Sequence, residues 1–428
     1  MNGEPYEGQL TSPGLNGPVK LTIGDDALIL DNAQDLSVLP CAGISAIQLQ
    51  DYAVHIMAAG QRFVISRLGQ ACQWFYDELA AAYNRCVLRA LFIDKAPLLT
   101  TTGAIEFHES QGGWTESGQI ALFDDCLCVL PPDSRARRLP LAFITAIERQ
   151  PYGLTFILSS GETCQLAHLG YDLAPLERQL DTCRRALGEK TRTARQQMIP
   201  QFSPSQALQA AKLLPEGLAV PLSGLQAALP ALAQAVQDLA SSRLAWSWPL
   251  IQKVGDQDQL CVGLKETAPA SDDSEAQPDQ HLWVVAPGRG EQTAAVELAL
   301  AGDEAAATYV YRTDGSFTRF LPLLNRAFEA AGFRRELLAL TEQELMQGQY
   351  AAYRMLIERT PALLELRRRY IGRVVHANPA SWENGLRKLL AAPMPAAKDS
   401  DPVFCSCCGG RLSSQAAFCG QCGRPVRH

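Results

Sequence analysis

The strongest constraint on the fold is an internal repeat in the first two hundred residues. Residues 39–47, with the pattern Leu-Pro-x3-Ile-Ser-Ala-Ile, recur at 139–147 as Leu-Pro-x3-Ile-Thr-Ala-Ile. Tyr52 has a counterpart in Tyr152 at the same spacing. A chain that carries one pattern twice is expected to fold the same unit twice. The sequence therefore predicts two units, at residues 1–95 and 96–198.

Each unit has the pattern of short strands followed by one helix. Turn residues separate the strand patterns, which is typical of an antiparallel meander. The strand patterns lie at 21–23, 27–30, 44–49, 53–58 and 62–66 in the first unit, and at 119–122, 126–130, 143–148, 154–158 and 163–167 in the second. An amphipathic helix then ends each unit. Its apolar residues are Trp74, Phe75, Leu79, Ala82 and Cys86 in the first unit, and Leu173, Leu176, Leu180, Cys183 and Leu187 in the second.

Six or seven strands and a closing helix, in about 100 residues, resemble the pleckstrin-homology (PH) superfold. The resemblance implies a bent β-barrel or sandwich that the helix plugs at one end. Because this fold hosts phosphoinositide binding, peptide binding and scaffolding, it does not select one function. A basic loop of the second unit offers candidate anion- or partner-binding residues, namely Arg135, Arg137 and Arg138. Anionic lipid is the expected ligand if they recognise phosphate, and a solvated loop face is the alternative.

A metal site is predicted at the C-terminus. Two Cys-x2-Cys pairs, Cys405/Cys408 and Cys419/Cys422, are each followed by glycine. Four thiolates in a tetrahedron suit Zn²⁺, and a module this short needs the metal to fold. The pattern Phe-Cys-x2-Cys-Gly, present twice within residues 404–428, resembles the short zinc-ribbon family. The resemblance implies one structural zinc ion, because four cysteines leave no coordination position open for catalysis.

The remaining cysteines have simpler interpretations. Cys407 is a fifth thiol inside the first Cys-x2-Cys pair, and we interpret it as a bystander. Replacement of a neighbouring ligand and reaction with oxidants are the alternatives. The other eight cysteines are scattered among apolar residues, so we expect buried free thiols.

Residues 199–390 are expected to form an α+β domain of unassigned family. A hinge is predicted at 188–195, a helix start at Ser203, and an apolar seam over 222–239 that Pro230 interrupts. We expect the seam to pack within its own domain, with a partner helix as the alternative. Strands are predicted around 246–251, 260–264, 282–286, 293–300 and 305–312. Helices are predicted at 317–331, after the capping box at Thr341, and over 349–376 with a break at Thr360.

Composition and motifs narrow the function. The net charge of −7 disfavours a protein that binds nucleic acid over much of its surface. No apolar stretch is long enough to span a membrane. The first residues lack the features of a secretion signal, which predicts a cytoplasmic protein. No metal-binding histidine pair, nucleophile elbow or phosphate loop is present, so we expect no enzymatic activity.

The fold class predicted is therefore multidomain α+β: two PH-like repeats, an α+β middle domain, a linker at 391–403 and a four-cysteine zinc ribbon. The leading hypothesis is an adaptor or scaffold that binds other proteins. The main alternative is a regulatory protein that binds nucleic acid through the ribbon, and a third is an enzyme whose site lies within residues 199–390, because catalytic residues can be distant in sequence.

Overall fold

Antiparallel sheets form the framework of the protein. The computed structural model describes residues 5–32, 35–109, 112–267, 279–288, 290–299, 307–391, 403–404 and 411–412. Within these residues the chain forms three large sheets, one two-stranded hairpin and twelve α-helices. The mixed α+β class is thereby confirmed. No helix among the described residues has the length and apolar character needed to cross a membrane.

The first repeat folds into a seven-stranded sheet and a helix. Its strands are β1 (Tyr6–Thr11), β2 (Asn16–Ile23), β3 (Ala27–Asn32), β4 (Asp35–Pro40), β5 (Ile44–Gln50), β6 (Ala53–Ala58) and β7 (Gln61–Ser66). They pair in the order β4-β3-β2-β1-β7-β6-β5, so β1 joins two meanders. Helix α1 (Cys72–Ala90) contacts strands from both halves of the sheet and buries Phe75, Leu79 and Ala82.

The second repeat has the same topology. Its strands are β8 (Leu99–Glu109), β9 (Gly112–Leu122), β10 (Cys126–Leu130), β11 (Arg137–Pro140), β12 (Ile144–Gln150), β13 (Gly153–Leu158) and β14 (Thr163–Ala167), followed by helix α2 (Leu173–Met198). They pair in the order β11-β10-β9-β8-β14-β13-β12, which is the order of the first repeat. A register shift also recurs, between Ile44 and Ala46 and between Ile144 and Ala146. The duplication read from the sequence is therefore present in the described structure.

The third region is a six-stranded sheet with helices on both faces. Its strands pair in chain order and are β15 (Ala219–Pro221), β16 (Cys261–Thr267), β17 (Asp279–Pro287), β18 (Thr293–Ala299), β19 (Ala307–Arg312) and β20 (Tyr370–Val375). The helices before β16 are α3 (Pro204–Leu213), α4 (Leu222–Ala228), α5 (Pro230–Arg243) and α6 (Ser247–Val254). Those after β19 are α7 (Phe317–Ala330), α8 (Glu336–Ala339), α9 (Glu342–Leu345), α10 (Ala351–Glu358), α11 (Pro361–Arg369) and α12 (Pro379–Leu390).

Two apolar cores sandwich this sheet. Val284 and Val310 pack with helices α3 to α6 and α12, whereas Val285 and Tyr311 pack with α7 to α11. Every residue of β18 is consequently buried, because neither face of the strand meets water. The second of these cores continues without interruption into the first repeat, where α1 packs against α10.

Several local predictions for this region are confirmed. Ser203 caps α3 through a capping box with Gln206, and Thr341 caps α9 through one with Glu344. Pro230 divides the apolar seam into α4 and α5. Leu225, Leu232 and Val236 of the seam are buried in the region's own core, as expected.

Three predictions for local structure were wrong. The segment 188–195 is no hinge, because α2 continues through it to Met198 and Arg195 is fully buried there, donating to the Leu214 carbonyl at 3.0 Å. The segment 246–251 lies mainly in helix α6, where a strand was expected. The predicted helix over 349–376 ends at Arg369, and its last part is strand β20 paired with β19. Tertiary pairing overrides local helix propensity at that point.

Candidate functional site

The predicted zinc ligands Cys405, Cys408, Cys419 and Cys422 lie outside the described residues, as does Cys407. Two short strands on either side of the first ligand pair are described. Strand β21 (Val403–Phe404) pairs with β22 (Arg411–Leu412), with Phe404 opposite Arg411. A hairpin of this kind fits a donor set of thiolates that must converge on one ion.

The described part of the chain shows the other eight cysteines as buried free thiols, which confirms the prediction for them. In the same residues, no group of three or more His, Cys, Asp or Glu side chains could hold a metal ion. The four cysteines of the C-terminal module are therefore still the predicted metal ligands.

The three candidate arginines all have carboxylate partners inside the fold. Arg135 donates through Nε to Asp133 at 2.8 Å and through Nη2 to Glu116 at 2.7 Å. Arg137 is buried and binds both carboxylate oxygens of Glu109, at 2.9 and 3.2 Å. Both guanidinium groups lie over the Trp114 ring, 5.6 and 5.9 Å from its centroid, and each has a local acidic partner.

Arg138 belongs to a buried ion cluster that joins the second repeat to helix α7. It binds Glu329, and Arg326 binds both Glu329 at 3.0 Å and Glu162 at 2.8 Å. Burial acts to lower the pKa of Arg138, but Glu329 and the groups around it outweigh burial and raise that pKa well above its ordinary value. Burial acts to raise the pKa of Glu162, and Arg326 outweighs it, so that pKa is lowered. Arg138 and Glu162 therefore both favour their charged forms in this cluster.

The loop that carries Arg135 covers an edge of the first repeat. Residues 131–134 run alongside β5, the end strand of the first sheet. The amide of Ile47 donates to the Pro132 carbonyl at 2.8 Å, and the amide of Ser134 donates to the Ser45 carbonyl at 3.0 Å. The Arg135–Asp133 pair holds the loop in this shape. A segment of one repeat thereby extends the sheet of the other, which is strand addition within a single chain.

The equivalent strand of the second repeat, β12, has an open edge. Among the described residues, β13 is the one strand that pairs with it. The shared register places the Thr145 carbonyl and the Ile147 amide where Ser45 and Ile47 make their bonds. Unpaired backbone groups of this kind are a template for a further strand.

A groove of about 530 Å³ lies beside this open edge, between β12 and α2. Leu154 and Leu180 are buried at its base, and Ile147 is partly buried. Charged side chains of both signs surround this apolar floor; they are Arg149, Glu177, Arg178, Asp181 and Arg184. Arg149 and Glu177 form an ion pair across the groove at 3.3 Å. An extended peptide with apolar and charged side chains matches such a lining.

A buried polar network in the third region was missed at the sequence level. Trp382 donates to Thr308 at 2.6 Å, Thr308 donates to Glu297, and His376 Nε2 lies 2.9 Å from Glu297. These residues are far apart in the chain, so no spacing signals them. Thr308 and Glu297 are sealed from solvent. The network therefore ties β18, β19 and α12 together, and it offers no hydroxyl to a substrate.

Comparison with known proteins gives no match: no protein-family model and no curated protein is significantly similar to this chain.

Proposed function

We propose that the protein is a non-enzymatic adaptor or scaffold, in which two PH-like units and a structural zinc ribbon bind other proteins. The identical strand order of the two repeats, each closed by a helix, supports the PH-like assignment. The β21–β22 hairpin beside the first cysteine pair supports the ribbon. Buried free thiols support a reducing, cytoplasmic location.

The observation that carries the proposal is the unequal state of two equivalent edge strands. Backbone hydrogen bonds from residues 131–134 cover β5, whereas β12 has the same outward groups and a groove beside them. The protein itself thus contains an example of the interaction that β12 would offer to another chain. We propose that β12 and α2 bind an extended segment of a partner protein by strand addition.

The zinc ribbon would supply a second contact with the same partner or assembly. Cys405, Cys408, Cys419 and Cys422 would hold one Zn²⁺, whose role is to fold the module. The segment 391–403 would tether it to the body of the protein. Two linked contacts raise overall affinity because the second one forms at a high effective concentration.

A capture experiment with matched baits tests the proposal. The baits are the full-length protein, Ile147→Pro, Ile147→Val, and the double variant Cys405→Ser/Cys408→Ser. Proline removes the outward amide of Ile147, and valine keeps it. We expect a partner that binds the wild-type and Ile147→Val baits and is lost from the Ile147→Pro bait. The double variant should lose its zinc and those partners that depend on the ribbon.

An identical partner set for all four baits would contradict the proposal. A salt titration on DNA and RNA distinguishes the alternative function, nucleic-acid binding through the ribbon. A steep loss of affinity with rising salt concentration would favour that alternative. The same titration with anionic vesicles checks whether Arg135, Arg137 and Arg138 bind lipid headgroups, although all three already have carboxylate partners.

A further inference from the structure

A pair of cysteines meets at one end of the first repeat. Cys41 opens the short 3-10 turn that follows β4, and Cys86 lies in the last turns of α1. Helix α1 packs against that turn, and both cysteines bond to the same loop. The Cys41 amide donates to the Asp26 carbonyl at 2.8 Å, and the Cys86 thiol donates to the Asp25 carbonyl at 3.0 Å. Cys41 is 2% exposed and Cys86 is 8% exposed. The pair therefore lies just beneath the protein surface.

A cation and a polar turn surround Cys86. Arg89 Nη2 lies 3.3 Å from Cys86 Sγ, and the same nitrogen donates to the Asp25 carbonyl at 2.8 Å. The Cys86 thiol donates to that carbonyl at 3.0 Å, and Asp26 Oδ1 lies 3.8 Å from the same sulfur. Arg89 is also paired with Asp26, whose side chain is 81% exposed. A small solute can reach this turn from water, and the guanidinium group favours a thiolate beside it.

These contacts change how readily Cys86 ionises. The hydrogen bond from Cys41 lowers the pKa of Cys86, burial opposes this, and the hydrogen bond and charge of Arg89 lower it further, to about 7. The pKa of Cys41 is raised, chiefly because it supplies that hydrogen bond and is buried. Cys86 is therefore the thiol of the pair that ionises more readily.

The second repeat shows that packing does not require sulfur here. The amide of Cys41 donates to the Asp26 carbonyl, and the amide of Leu141 donates to the Asp125 carbonyl, both at 2.8 Å. Leu141 thus stands where Cys41 stands. On the helices, Tyr83 donates to the Ile44 carbonyl at 3.3 Å, and Arg184 donates to the carbonyl of the equivalent residue, Ile144, at 3.4 Å. Leu187 follows Arg184 at the spacing by which Cys86 follows Tyr83. One fold thus carries a thiol pair in one copy and a leucine pair in the other.

We propose that Cys41 and Cys86 form a redox-active thiol pair that hydrogen peroxide or a similar small peroxide oxidises to a disulfide. The Cys86 thiolate attacks one peroxide oxygen, the O–O bond breaks, and a sulfenic acid and hydroxide form. The Cys41 sulfur then attacks the Cys86 sulfur as its proton leaves, so that the S–S bond forms and water departs. In total, two thiols and one hydrogen peroxide give one disulfide and two waters.

The disulfide would join the 3-10 turn to α1 at the boundary with the third region. Helix α10 packs against both elements. Oxidation would consequently stiffen the surface on which the first repeat and α10 meet. This inference does not depend on the proposed adaptor function, because it concerns thiols that neither the edge strand nor the ribbon contains.

Peptide mapping of the full-length protein tests the proposal. The protein is treated with graded hydrogen peroxide, the remaining thiols are blocked, and a non-reducing digest is analysed by mass spectrometry. We expect a linked Cys41–Cys86 peptide at peroxide concentrations that leave Cys72 reduced. Cys72 is the matched control, because it is a similarly buried cysteine of α1 whose pKa burial raises. Cys86 should also be alkylated about fivefold faster or more than Cys72 at neutral pH.

Two variants separate chemistry from folding. Cys41→Ser keeps a hydrogen-bond donor but removes the second thiol, so a sulfenic acid should accumulate on Cys86 and react with dimedone. Arg89→Gln should shift the pH at which Cys86 becomes reactive upward. If Cys86 of the Cys41→Ser variant reacted with dimedone no more than Cys72 does, the proposal would be overturned. So would a wild-type digest in which Cys41 and Cys86 stay unlinked while Cys72 oxidises.

Discussion

The two repeats share one topology, but other parts of the chain cover opposite edges of their two sheets. In the first repeat, residues 131–134 cover β5, whereas the other end strand, β4, leaves Leu36 and Val38 exposed at 64% and 52%. In the second repeat, Arg326 of α7 donates to the Arg138 carbonyl on β11, and β12 has the open edge. Duplication has thus preserved the sheet while a few edge residues decide which contacts each copy makes.

The repeats also differ in how they attach to the third region. Buried ion pairs among Arg138, Glu162, Arg326 and Glu329 attach the second repeat. The first repeat attaches through an apolar core shared with α7 to α11, in which the buried Arg359 donates to Tyr83. The second repeat also contributes Phe123, Cys128 and Leu130 to that apolar core, so the buried ion cluster is what distinguishes its attachment. Mutations should separate the contribution of charge pairing from that of apolar contact.

The largest expected effect is that of Arg326→Met. The substitution leaves Glu162 and Glu329 with one cation fewer in a buried site, which should lower the free energy of unfolding by about 3–5 kcal/mol. Urea denaturation measures this loss. Arg192→Met is the control, because Arg192 forms an exposed pair with Glu189 and should cost less than about 1 kcal/mol. Equal losses for the two variants would mean that the ion cluster does not hold the second repeat.

The next largest effect is expected from matched proline substitutions on the two edge strands, which should lower the free energy of unfolding by different amounts. Ile47→Pro removes a buried isoleucine and the amide bonded to Pro132, so it should cost about 2–4 kcal/mol. Ile147→Pro removes an outward amide on an open edge and should cost about 1 kcal/mol. Thermal unfolding of both variants checks the difference. A cost for Ile147→Pro as large as that for Ile47→Pro would show that β12 is covered.

The sequence predicted the repeated architecture well because the evidence for it is local. Apolar alternation and turn residues marked five strands in each repeat, and the closing helices followed from apolar spacing. The two strands missed in each copy are β1, β4, β8 and β11. Much of β1 and β8 is polar, so apolar alternation did not reveal these two strands.

The candidate site could be predicted less well because the role of each side chain depends on partner residues that are distant in sequence. Arg135, Arg137 and Arg138 form a basic run in sequence, but apart from Asp133 in the same loop, the carboxylates that bind them come from other parts of the fold, including β8, β9 and α7. Likewise, the Cys41–Cys86 pair joins residues that only the closing helix brings together. Spacing can identify a local metal motif, whereas an ion cluster or thiol pair requires the tertiary fold.

A smaller effect on the free energy of unfolding is expected when the pH is lowered. The folded-state pKa of Glu162 lies below its ordinary value of 4.5, so the unfolded chain binds the extra proton as pH falls. The stability that this pair contributes is complete above the ordinary value and is lost as pH falls through the folded value. The unfolding free energy of the wild type should therefore decline below about pH 4.5 more steeply than that of Glu162→Gln, by up to about 1.4 kcal/mol per pH unit. Parallel pH profiles would contradict the assignment.

The smallest expected effect is that of Arg359→Met in the attachment of the first repeat. Arg359 is buried, donates to Tyr83 and to the Met355 carbonyl at 3.1 Å, and its nearest carboxylate, Glu358, is half exposed at 3.7 Å. Methionine leaves no carboxylate buried and unpaired, and it fills similar space among apolar neighbours, so we expect a loss of about 1 kcal/mol. Urea denaturation beside Arg326→Met measures the contrast. A loss for Arg359→Met as large as that for Arg326→Met would show that both repeats depend on buried charge, because apolar contact alone would then fail to hold the first repeat in place.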